Sequence, residues 1–169
     1  MAHVKVVRRS MRPEEWTDLR FVWLQRGIYE EKFEITDLEI RDARQISEDQ
    51  YEYYSDEYRP LKKDDMYFTP DGTAFIRGHV QIPAHMKGKN IYFTLHTAAE
   101  MIVKINGKYV GGVDPNRERI LLNPYIDSDD LTIEIEAYNR SKPDDERNPA
   151  SLAHRGCRQI FEGAYLSTI

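Results

Sequence analysis

From Thr73 to Leu122 the chain alternates apolar and polar residues with a period of two, the repeat of strands with one face buried and one wet. Ala74, Ile76, Gly78, Val80 and Ile82 fall on one side of the first strand, and Phe75, Arg77, His79 and Gln81 on the other. Ile91, Phe93 and Leu95 repeat the pattern, as do Met101, Val103 and Ile105. Asn106-Gly107 follows. A two-residue type I′ turn needs positive φ at both central positions, which Asn and Gly tolerate, so this pair predicts a hairpin that leads into Tyr109 and Val110.

The flanking segments fit the same class. Pro13 followed by Glu14 and Glu15 reads as a helix start, and Trp16, Leu19, Phe21, Val22 and Trp23 make that helix too apolar for a free surface. Phe33 to Ile40 is strand-like with imperfect alternation. Ser47 to Asp65 is polar, acidic and tyrosine-rich, and is expected to be irregular apart from a short strand around Tyr51 to Tyr54. Pro70-Asp71-Gly72 signals a turn before the first well-patterned strand. Arg117 to Leu122 predicts a short strand, Leu131 to Tyr138 a half-buried one, and Gln159 to Thr168 the last. About seven to nine short strands, with turn signals every 8 to 12 residues or so, indicate an all-β sandwich with a short N-terminal helix.

Length and apolar content are enough for one domain with a real core. The net charge of -5 comes from both signs interspersed and forms no basic stripe, so nucleic acid is not an expected partner. No stretch reaches the roughly 20 apolar residues of a membrane span, and Met1 to Arg12 is basic without a signal peptide's apolar core. The expectation is a cytoplasmic protein with no membrane partner. The one cysteine, Cys157, excludes an intramolecular disulfide.

Five groupings bear on chemistry. Glu134 and Glu136 share a strand face about 7 Å apart, a spacing glycosidases use, but such carboxylates must flank a sugar and one must be desolvated; two on one polar face read as a solvated strand. His154 and Cys157 are three residues apart without the further ligands a zinc site needs. His79 and His96 are assigned to outward faces. Tyr51, Tyr53, Tyr54 and Tyr58 suit either an edge packed on the sandwich or a binding surface. The loop Gly111 to Arg117 offers Asp114, Asn116 and the planar fork of Arg117, suited to a hydroxyl-rich ligand or to a carboxylate on a neighbouring domain. The same residues also suit a tight turn in which Asp114 caps its own backbone, and the two readings stand side by side.

Taken in order, Asp71 to Gly78, Ile82-Pro83, Lys87-Gly88-Lys89, Val103 to Lys108, Gly111 to Leu122 and Phe161 to Leu166 resemble the N-terminal β-domain of bacterial and fungal α-mannosidases of glycoside hydrolase family 38. Gly112 to Leu122 is the most diagnostic piece. The resemblance runs over residues 33–169, and the basic segment and Trp-rich helix at 1–32 resemble that family's opening. It implies a jelly-roll sandwich similar to galactose-binding domains, lying before a zinc-dependent catalytic domain that is absent from this chain. None of the family's catalytic or zinc-binding residues maps onto a position here, so the chain is expected to need no cofactor, with zinc implied only for that catalytic domain. The expected partners are that domain, docked through a helix carrying Trp16, Leu19 and Trp23, and mannosides near the sugar approach, with a homo-oligomer as the other way to cover the helix. An independent carbohydrate-binding module, or the sugar-binding domain of another hydrolase such as a β-galactosidase or β-glucuronidase, is the alternative. A free-standing enzyme ranks last.

Overall fold

A computed structural model describes residues 31–65, 72–96, 99–114, 117–138 and 161–169. Within them the chain forms eleven strands: β1 Glu31–Glu34, β2 Leu38–Ser47, β3 Gln50–Tyr53, β4 Arg59–Pro60, β5 Thr73–Gln81, β6 Ile91–Leu95, β7 Glu100–Ile105, β8 Lys108–Val113, β9 Arg119–Leu121, β10 Asp130–Tyr138 and β11 Ala164–Thr168. They build a four-stranded sheet, β1-β11-β6-β9, and a seven-stranded sheet, β3-β2-β5-β10-β7-β8, with β4 paired to β2. Every pairing is antiparallel.

The predicted alternation sets the core. Ile76, Val103, Ile105, Leu131, Ile133, Ile135 and Ala137 come from the larger sheet, and Ile91, Phe93, Leu95 and Leu166 from the smaller; all are buried in one cluster. Burying both inner faces against each other makes the structure the expected sandwich. At the β7–β8 turn Asn106 (φ 50°) and Gly107 (φ 73°) take the positive dihedrals predicted for Asn-Gly. The Asn106 amide also fastens this turn to β10, its Oδ1 accepting from the Thr132 N–H at 2.8 Å. A register shift after Val103 then bulges β8, which forms one edge of the larger sheet.

Three expectations need correction. Phe33 to Ile40 is two strands in different sheets, because β1 pairs with β11 and the chain crosses at Ile35–Asp37 before β2 joins β5. The crossing is fastened on both sides: Ile35 N–H donates to Ala164 O at 2.9 Å and His79 N–H to Asp37 O at 3.1 Å. Ser47 to Asp65 carries the expected short strand, β3, but is otherwise less irregular than expected. Strand β2 runs to Ser47 and β3 folds back on it with Ala43 opposite Tyr53 and Gln45 opposite Tyr51, while β4 pairs with Glu39 and Ile40. Residues 44–47 are exposed throughout, so no face was left for a hydrophobic period to mark. The expected strands at 117–122 and 159–168 are shorter, β9 and β11 covering Arg119–Leu121 and Ala164–Thr168. Trp16, Leu19 and Trp23 lie outside the described residues, as do His154, Cys157 and Asn116.

Candidate functional site

In the sequence-derived loop, the described residues Asp114 and Arg117 pair with each other. Asp114 and Arg117 exchange backbone hydrogen bonds of 3.2 and 2.9 Å across a single bridge. The Asp114 carboxylate accepts from the Arg117 backbone N–H at 3.1 Å, from Nε at 3.0 Å, and pairs with Nη2 at 2.8 Å. Both prongs of the guanidinium therefore face the carboxylate three residues back, although the Arg117 side chain is 80% exposed. Asp114 and Arg117 stand where the chain passes from β8 of the larger sheet to β9 of the smaller.

The outer face of the larger sheet carries three of the four tyrosines singled out from the sequence. Tyr51 and Tyr53 from β3 meet Phe75 of β5, with ring centroids 4.9 and 5.6 Å apart. The Arg41 guanidinium lies 3.5 Å from the Tyr53 centroid and 4.9 Å from that of Tyr58, and Arg77 lies 4.0 Å from Tyr58 while bonding Glu39 at 2.7 Å. These cation–π contacts use ring faces that a stacking sugar would need, so the tyrosine segment is packed on the sheet by its own arginines. Tyr54, 56% exposed, stands outside this stack.

Glu134 and Glu136 lie on this same outer face, as expected. Glu136 is engaged by Tyr51, whose hydroxyl donates to its carboxylate. That bond, then partial burial, then the Glu136 charge itself push the Tyr51 phenol from 10 up to about 12. The neutral phenol is favoured in the fold while the unfolded chain ionises first, so the stability this contact supplies is complete below pH 10 and drains away between pH 10 and about 12. In an absorbance titration of the eleven tyrosines, one is expected to titrate near 12, to vanish in Tyr51→Phe, and to move back towards 10 in Glu136→Gln.

Both histidines have carboxylate partners that the sequence did not reveal. His79 Nε2 meets Asp130 Oδ1, joining the exposed ends of β5 and β10. His96 is covered by its neighbours: its side chain is 12% exposed, its Nδ1 lies 3.1 Å from Glu118 Oε2, and its ring is 5.7 Å from that of Tyr165. Leu95 N–H donating to Glu118 O at 2.8 Å, alongside the β6–β9 pairing, sets these two side chains next to each other. Among the described residues no group of three or more His, Cys, Asp or Glu is placed to hold a metal ion. Among them also, no helix is long and apolar enough to cross a membrane.

An open groove of about 530 Å³ lies where the chain crosses between the sheets. The β1–β2 crossing forms one wall, and the end of β5 with the turn from Pro83 to Lys87 forms the other. Val80 and Ile82 are its buried apolar floor, and Phe33, 40% exposed, stands at the rim. Sequence patterning missed it, because its walls come from segments more than 40 residues apart.

No protein-family model matches the chain, and no curated protein matches it. Among solved structures it is similar to a β-D-glucuronidase from Dictyoglomus thermophilum, at 18% identity and a TM-score of 0.44 over 82% of this chain and 28% of that one. It is also similar to a calcium-binding mutant of Bacteroides uniformis β-glucuronidase 2, at 18% identity and a TM-score of 0.48 over 82% of this chain and 18% of that one. The chain thus spans less than a third of the length of either protein.

Proposed function

We propose that this sandwich is a non-catalytic accessory domain of a glycoside hydrolase, an α-mannosidase in the finer reading, that docks on and orders a catalytic domain supplied by other residues. One observation carries the reading. The stretch with the most diagnostic likeness to the mannosidase β-domain, Gly112 to Leu122, is the joint between the two sheets, its Asp114 and Arg117 locked to each other. A motif used in this way supports a scaffold role, and the fold by itself would license no activity. In this reading the zinc and the reacting carboxylates belong to the partner domain, and the chain works in the cytoplasm.

The test is an α-mannoside hydrolysis assay with added zinc, run on the 169-residue chain alone and on the chain continued into the catalytic polypeptide of its parent. Activity is expected only in the second case. Turnover by the chain alone overturns the accessory role, and a parent that cleaves a β-glucuronide in place of an α-mannoside overturns the finer assignment. The groove at the sheet crossing favours a second reading, a sugar-binding module that acts by itself. Removing the sandwich from the active parent separates the two: an ordering domain is needed for turnover of a small soluble mannoside, whereas a module that acts by itself is not.

A further inference from the structure

We propose that the groove between the β1–β2 crossing and the Pro83–Lys87 turn binds a neutral pyranose. The inference deepens the sugar-enzyme reading by giving this domain a ligand site of its own. Its volume, about 530 Å³, falls within the roughly 300–1,000 Å³ of small-molecule sites, and its open mouth suits a chain end or a single ring reached from solvent. A pyranose presents an apolar C–H face and a rim of hydroxyls, each both donor and acceptor. The residues lining the groove include the counterpart of each: Val80, Ile82 and Phe33 as apolar groups, and Thr36, Asp37 and Gln81 as hydrogen-bonding ones.

Charge narrows the ligand further. The basic side chains lining the groove are His79 and Lys87; His79 meets Asp130, the first residue of β10, and Lys87 meets Asp129, just before it. Glu34 and Asp37 add carboxylates to the walls. A uronic acid or a sugar phosphate would therefore bring its charge to a rim where carboxylates outnumber cations, and repulsion selects against it. The walls are also set before any ligand arrives. His79 N–H holds Asp37 O at 3.1 Å, Ile82 N–H holds Asp129 O at 2.8 Å, and Met86 N–H holds Pro83 O at 2.9 Å, so binding orders little backbone.

The experiment is a ¹H–¹⁵N correlation titration of the full chain with methyl α-mannopyranoside and, in parallel, with methyl β-glucuronide at neutral pH. Saturable shifts with a Kd on the order of 1 mM are expected at the amides of His79, Gln81 and Lys87. Binding should weaken at least tenfold in Thr36→Ala and in Gln81→Ala, both exposed positions whose replacement leaves the fold intact. The glucuronide should bind at least tenfold more weakly than the mannoside. No shift at about 100 mM sugar, shifts confined to another face, or shifts that persist in both variants overturn the site. Equal binding of the two sugars overturns its selectivity for a neutral ring. The docking role survives a silent titration, since the two-polypeptide activity assay decides it separately.

Discussion

Gly78→Ala is expected to lower the unfolding free energy by about 3 kcal/mol, read as a fall in the urea midpoint at unchanged slope. Gly78 sits in the middle of β5, opposite Leu38 of β2 on one side and Ile133 of β10 on the other. A Cβ there would lie 2.4 Å from the Asp37 carbonyl oxygen and 2.4 Å from a Leu38 methyl. The methyl can rotate away, but the carbonyl cannot: it belongs to the backbone that carries the chain from one sheet to the other, and it accepts the His79 N–H. Gly78 is not among the glycines with positive φ, so the cost is steric and arises wholly in the folded state. A loss below about 1 kcal/mol would mean that the crossing yields readily, and the account of the groove wall would fall with it.

The same residue explains what was legible in the sequence and what was not. Strands β5, β6, β7 and β10 are legible because their core residues recur with a period of two, and Ile133, Ile135 and Ala137 lie inward as that period requires. Gly78 counted there as one more inward position of β5. Its purpose depends on Asp37, some forty residues away, and period-two reasoning carries no information about a backbone that passes over a strand. For the same reason Phe33 to Ile40 read as one element: Ile35 and Leu38 are both buried, in a stretch that serves two sheets in turn.

The candidate sites divide along the same line. Asp114 and Arg117 are three residues apart, so the self-capping turn was available as a local reading from the start. Long-range partners were not. Arg41 lies between Tyr53 and Tyr58, Tyr51 reaches Glu136 across 85 residues, and His96 finds Glu118 through the pairing of β6 with β9. The clustered tyrosines suit either a packed edge or a surface for sugar or for a partner. In the fold the stacking faces of tyrosines and arginines are spent on one another, so composition identified the residues that matter on this face without showing whom they contact.

The smaller sheet is the other place where one side chain decides stability, and Phe93→Ala is expected to cost about 4 kcal/mol. Phe93 is fully buried at the centre of β6, with Leu166 of β11 and Ile120 of β9 as its register neighbours, and it fills the space between the sheets from a layer only four strands wide. Removing the ring forfeits its transfer free energy. It also leaves a cavity that hydrogen-bonded strands on both sides prevent from closing. Since small domains hold about 5–15 kcal/mol in total, the variant should unfold at a much lower urea concentration or fail to fold at physiological temperature. Phe93→Leu keeps the test quantitative in that event, because retaining most of the volume should hold the loss to about 1.5 kcal/mol. Ile102→Ala is the matched control: Ile102 faces outward from β7, 51% exposed, and its truncation should stay within about 0.5 kcal/mol. If the two truncations cost the same, the core does not lie between these two sheets, and the sandwich assignment, with every functional reading built on it, is wrong.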